Sequence, residues 1–185
     1  MEKNRLYTVS LIIIVVILLV AISAVLLLRN QPASDDGDDF EFLGINGDTK
    51  HLSDYRGKYV LMDLWATWCQ PCIFQMFELD TAYDAFSGDL IILSINTYDG
   101  EDLQDVQTFV NDFPNTYGIT PQWTFGKEVD SLSSYNPEES IPRLILFDPQ
   151  GNNIYQHTGF MPFDTTSPYY QPGSDTLQAI LNSYI

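Results

Sequence analysis

Hydrophobic positions fall into two regimes along this chain. Between Leu6 and Leu28 only Tyr7, Thr8, Ser10 and Ser23 interrupt an apolar run, which as a helix would span about 34 Å against a hydrocarbon core of about 30 Å. A single transmembrane helix over residues 6–28 is expected, preceded by a cytoplasmic N-terminus of residues 1–5. A cleaved signal peptide competes with it. However, the run from Leu11 to Leu28 is longer than the usual h-region of about 7 to 15 residues, and Gln31-Pro32-Ala33 is a poor cleavage site. Beyond this run the pattern breaks into short segments of alternating or helical period.

Phe40-Glu41-Phe42-Leu43 and Thr49-Lys50-His51-Leu52 flank Gly44 to Asp48 and predict a β-hairpin. Tyr59 to Trp65 is nearly continuous in apolar residues, as in a strand buried on both faces, and Leu90 to Ile95 repeats that pattern. Between them, Ile73, Met76, Phe77, Leu79, Tyr83 and Phe86 recur at helical spacing from Gln70 onward, which makes a βαβ unit. Glu101 to Phe113 reads as a second helix, acidic in its first turn and ended by Pro114. Arg143 to Phe147 and Asn153 to Thr158 form a hairpin around Asp148-Pro149-Gln150-Gly151, and Ser174 caps a last helix to Tyr184. Tyr117 to Ser140 shows no clear period, and Met161 to Gly173, with three prolines, reads as a loop. The fold class is α/β, one domain over residues 40–185.

Charge fixes the orientation of the expected anchor. Lys3 and Arg5 precede the apolar run, and only Arg29 follows it before Asp35, Asp36, Asp38 and Asp39. Basic flanks stay in the cytoplasm, so the folded domain belongs on the other side of a cell membrane, joined by an acidic tether over residues 29–39. Eight Lys and Arg against 25 Asp and Glu argue against a nucleic acid partner, since phosphate contacts need clustered cations.

Cys69 and Cys72 are the only cysteines, and they stand where a buried strand meets a helix. Helical residues three apart share a face at about 5 to 6 Å, within reach of a disulfide. Pro71, with Gln70 the interior of the motif, is tolerated in a first turn, where its missing N–H is no loss. Free N–H groups at a helix start stabilise an anion, so Cys69 is the expected attacking thiolate and Cys72 the resolving thiol. Exchange of this kind needs no metal or organic cofactor. A purely structural bridge closing so short a loop would contribute only about 2 kcal/mol. Zinc would need four ligands, and His51 and His157 lack ligand spacing to the motif.

Leu61-Met62-Asp63-Leu64-Trp65-Ala66-Thr67-Trp68-Cys69-Gln70-Pro71-Cys72 resembles the active-site segment of the thioredoxin-like superfamily, closest to its TlpA/ResA-type membrane-anchored thiol:disulfide oxidoreductases. Leu52-Ser53-Asp54-Tyr55-Arg56-Gly57-Lys58 and Ser140 to Asp148, followed by Gly151, are similar to the same subgroup. The resemblance runs from Phe40 to the C-terminus. It implies a thioredoxin-like fold with a central mixed sheet and a redox-active Cys69–Cys72 disulfide. It further implies a cis Ile141–Pro142 bond beside the dithiol, partner peptide received at the Ile141 backbone, and Trp68 shielding the sulfurs.

Asp63 interrupts an apolar strand, where an ionised carboxylate is costly, so a raised pKa is expected. The resemblance to thioredoxin suggests that it helps deprotonate Cys72, and the competing reading is a strand-end acid that reaches solvent. Gln75 stands where ResA-like proteins often carry Glu, and Arg143 where a small hydroxyl residue is common after the cis proline. Glu78 reads as a solvated helix acid, and Trp123, Phe125, Tyr169 and Tyr170 as cover for core or loop.

The function this implies is reduction of disulfides in exported proteins, with electrons from a membrane thiol donor of the CcdA/DsbD type. A Dsb-type oxidase runs the same chemistry the other way. Copper delivery on two thiolates and a non-catalytic binding module are rivals of a different class. A peroxide-reducing role is less attractive, because Ala66-Thr67-Trp68 lacks the upstream proline of peroxiredoxin sites.

Overall fold

The computed structural model describes residues 15–17, 37–129 and 132–185. The chain divides into two units, Met1–Ala33 and Ser34–Ile185. Of the first unit, only the helical residues Val15, Val16 and Ile17 are described. Apart from these three residues, the expected anchor lies outside the described residues, as does most of the tether, and among the described residues no helix is long and apolar enough to cross a membrane.

The second unit holds one seven-stranded mixed sheet. Its strands are β1 (Glu41–Gly44), β2 (Thr49–His51), β3 (Tyr59–Trp65), β4 (Leu90–Asn96), β5 (Thr124–Glu128), β6 (Arg143–Phe147) and β7 (Asn153–Thr158), in the spatial order β2-β1-β5-β4-β3-β6-β7. The β1–β2 hairpin and the β6–β7 hairpin form where turn chemistry predicts them. Helix α1 (Gln70–Ala85) joins β3 to β4, which pair in parallel from Tyr59↔Leu90 to Trp65↔Asn96.

Because side chains alternate across a strand, β3 divides its apolar residues between two faces. Val60, Met62 and Leu64 pack with Phe42, Leu93, Ile95, Ile145 and Phe147 on one face. Leu61 packs on the other with Ile92, Leu144, the α1 residues Leu79 and Ala82, and Leu177 and Leu181 of α3 (Leu177–Tyr184). Trp65 continues that second face into a third cluster containing Cys69, Cys72, Met76, and Val106 and Phe113 of α2 (Leu103–Tyr117).

Three local expectations need correction. Pro114 does not end α2, which continues to Tyr117 and closes on a left-handed Gly118. In a last turn the proline removes only one helical hydrogen bond, and the extra turn packs Tyr117 against Phe113 in a tilted pair with ring centroids 4.6 Å apart. The same helix starts at Leu103 behind a reciprocal Asp102/Asp105 cap, which leaves Glu101 outside it. The last helix is capped by Thr176, whose hydroxyl accepts from Ala179 N at 3.3 Å, and not by Ser174.

The segment without a clear period contains β5, which pairs in parallel with β4 and antiparallel with β1. Gly126 is what lets it fit. A Cβ there would lie 2.5 Å from Phe42 Cδ2 and 2.6 Å from the Leu43 carbonyl oxygen. Gly126→Ala is therefore expected to destabilise the domain by about 1–3 kcal/mol, seen in urea titration as a lower midpoint at unchanged slope.

Candidate active site

β3, an interior strand, is buried through Trp65 and passes at its C-terminal end into Ala66, Thr67 and Trp68. The turn is held from outside by Glu101, which accepts hydrogen bonds from Thr67 N (3.2 Å), from the Thr67 hydroxyl and from Asn96 Nδ2 (2.6 Å). Cys69 then caps α1, with its Sγ accepting from Cys72 N at 3.2 Å. Pro71 falls in the first helical turn, the position where its missing N–H costs nothing.

Cys69 and Cys72 form a disulfide with a Cα separation of 5.2 Å. Cys72 is fully buried, whereas Cys69 keeps 4% of its surface. Trp68, directly before Cys69, is 61% exposed and meets Tyr98 edge-to-face at 5.3 Å. Gln70 and Pro71 are exposed beside it.

The Ile141–Pro142 bond is cis. Its approach is fixed by Asn136, whose Oδ1 accepts from Ser140 N and whose carbonyl accepts from Glu139 N, both at 3.0 Å. Ile141 packs against the cluster that contains both cysteines. With Trp68, Tyr98, Glu128, Leu132 and Asn136 it lines a cleft of about 450 Å³. Arg143 points elsewhere, its guanidinium donating to Thr158 Oγ1 and Gln156 Oε1 on β7, each at 2.5 Å.

Asp63 is fully buried, which excludes the solvent-reaching alternative. Burial pushes its carboxyl from 3.8 up to about 7, against the opposing effect of a hydrogen bond from the Ser94 hydroxyl to Oδ2 at 3.0 Å. Its Oδ1 has no hydrogen-bond partner among the described residues. Ser94 was legible as the one polar residue in the Leu90–Ile95 run, and register pairs it with Asp63.

Glu78 is not a solvated acid. It is buried and accepts from Phe163 N and the Ser167 hydroxyl, each at 2.6 Å. One turn earlier, Gln75 exchanges two hydrogen bonds with the Met161 backbone, at 3.1 and 2.8 Å. Together they tie the loop after β7 to the back of the cysteine helix. Buried backbone groups of a loop need such partners, and the isolated Gln and Glu gave no sign of this in sequence. Among the described residues no group of three or more His, Cys, Asp or Glu side chains is placed to hold a metal ion.

The sequence profile of the AhpC/TSA family matches residues 33–155. The chain belongs to this family. Similarity among AhpC/TSA relatives is strong for the thiol-disulfide oxidoreductase ResA of Geobacillus kaustophilus, 32% identical over 124 residues that cover 66% of this chain and 67% of ResA. The pneumococcal exposed lipoprotein thioredoxin of Streptococcus pneumoniae is 28% identical with a TM-score of 0.52, covering 67% of this chain and 91% of that one. StoA of Bacillus subtilis, at 23% identity and a TM-score of 0.50 over 71% of this chain and 93% of its own, shares the fold. This AhpC/TSA protein is a thioredoxin-like redox enzyme.

The raised carboxyl of Asp63 has a consequence for stability. Its folded pKa of about 7 exceeds the ordinary 3.8, so the folded state binds the extra proton between those values. Stability from this group is therefore complete below about pH 4, is lost as pH rises towards 7, and reaches a deficit of roughly 4 kcal/mol above that. Asp63→Asn is expected to gain on the wild type steadily between pH 4 and 7 and to level off above. Urea unfolding of both oxidised proteins across this range checks it, and parallel curves would contradict it.

Proposed function

We propose that this chain is an extracytoplasmic, membrane-anchored oxidoreductase that reduces disulfides in exported proteins. The observation that carries the proposal is the Cys69–Cys72 pair at the start of α1, with Cys69 the less buried of the two and its Sγ accepting from Cys72 N. In the reduced enzyme the same N–H and the helix dipole stabilise a Cys69 thiolate.

The Cys69 thiolate attacks one sulfur of a client disulfide, and the client's other sulfur leaves as a thiolate. Cys72 then loses its proton, with Asp63 as acceptor, and attacks Cys69 Sγ. The second client sulfur departs as a thiolate that takes a proton from solvent, two electrons have passed to the client, and the enzyme is left with its own disulfide. A cleft running from Trp68 to Ile141 suits an extended client segment whose backbone pairs at Ile141, next to cis Pro142.

A membrane thiol donor of the CcdA/DsbD type returns the electrons. The anchor over residues 6–28 supports this partnership by holding the domain at the bilayer, and the basic residues Lys3 and Arg5 before it favour an outward domain. ResA, the relative at 32% identity, is a thiol-disulfide oxidoreductase.

Insulin reduction is expected from the wild type and is expected to fall to background in Cys69→Ser. Cys72→Ser should accumulate clients linked covalently to Cys69. In cells, rapid acid quenching and thiol labelling should find the pair mainly as a dithiol. A steady-state disulfide in a cell that carries the electron donor would instead indicate an oxidase.

A further inference from the structure

Three polar side chains, the last of them Trp123 packed against the cluster that contains both cysteines, form a hydrogen-bonded row. Trp123 Nε1 lies 2.9 Å from Ser94 Oγ, and Ser94 Oγ lies 3.0 Å from Asp63 Oδ2. An indole N–H can only donate, so Ser94 must accept from it. The hydroxyl has a single hydrogen, which is then directed to Asp63 Oδ2.

We propose that Trp123 and Ser94 are positioning residues that fix where the exchangeable proton of Asp63 resides, keeping Oδ2 an acceptor and leaving Oδ1 to take up and release the proton. This deepens the proton-acceptor role proposed for Asp63 and rests on it for its catalytic meaning. Oδ1 is the carboxyl oxygen left buried with no hydrogen-bond partner among the described residues.

The direction of donation is held by packing. Trp123 stacks on Phe125 with centroids 5.5 Å apart and meets Tyr83 of α1 at 6.2 Å, so the indole has little freedom to turn its N–H elsewhere. Ser94 is fully buried at the Asp63 register position of β4, with Leu144 beside Asp63 on β6.

Among the described residues, no charged group contributes to the shift of the Asp63 carboxyl. Burial and the Ser94 hydrogen bond are the forces that move the Asp63 carboxyl. On α1, Cys72 titrates only when reduced, and Glu78 is turned to Phe163 and Ser167. On β4 the next polar residue of that face, Asn96, is uncharged and bonded to Glu101. Loss of the Ser94 hydroxyl would therefore leave the carboxylate without a donor.

Two readouts test the proposal on the full chain. In a ¹³C carboxyl titration, Ser94→Ala should raise the Asp63 midpoint by about one to two pH units, the worth of a hydrogen bond to a charged group. Trp123→Phe keeps a packed ring, removes the N–H, and should raise the midpoint by less. It also serves if Ser94→Ala folds poorly. The pH at which mixed-disulfide resolution is half-maximal should move with the midpoint in both variants. In an Asp63→Asn background, Ser94→Ala should leave the resolution profile unmoved. An unchanged Asp63 midpoint in both variants would overturn the proposal. If the midpoint moves while Asp63→Asn leaves the resolution profile intact, the positioning holds and the proton-acceptor reading of Asp63 fails instead.

Discussion

One constraint governs the site: a strand buried on both faces runs straight into a helix whose first residue after the turn must supply a cap. Helix starts present N–H groups without intrahelical partners, and here Cys72 N donates both to the Cys69 carbonyl oxygen at 3.0 Å and to the Cys69 sulfur at 3.2 Å. Moving Cys69 by one residue would remove it from those donors and break the i, i+3 relation to Cys72. The rest of the domain can be read as support for this junction. Glu101 ties down the turn before it, Gln75 and Glu78 hold the helix from behind, and the Asn136–Ser140 loop sets cis Pro142 against it.

The second feature is a carboxylic acid placed where water does not reach. An isolated buried carboxylate is expensive, and a single hydroxyl donor offsets only part of that cost. The result is an acid poised near neutrality, the range in which a group can both accept and return a proton during turnover. Stability is given up at neutral pH to keep it there, a common relation between folds and their reactive sites.

The hairpins, the βαβ unit and the cysteine motif were legible because each rests on local pattern: strand period, turn residues, helical spacing and proline in a first turn. Asp63 stood out for the same reason, as one charge in an apolar run. What could not be read locally depends on tertiary partners. Thr124-Phe125-Gly126-Lys127-Glu128 has too little apolar content to announce a strand and becomes one because β1 and β4 leave a gap between them. Glu78 has the composition of a surface acid and is buried by a loop some 85 residues later. Pro114 carries a stop signal that aromatic packing and Gly118 postpone by one turn.

The central claim is that the helix start lowers the thiol pKa of Cys69 while Cys72 stays shut inside. Alkylation of the fully reduced, folded protein by iodoacetamide across pH, with each site identified by mass spectrometry, tests it most directly. Cys69 is expected to react first, with an apparent pKa clearly below the free-thiol value of about 8.5, and Cys72 to remain protected until the protein is unfolded. Two thiols reacting at equal rates, or a Cys69 titrating at the ordinary value, would contradict it.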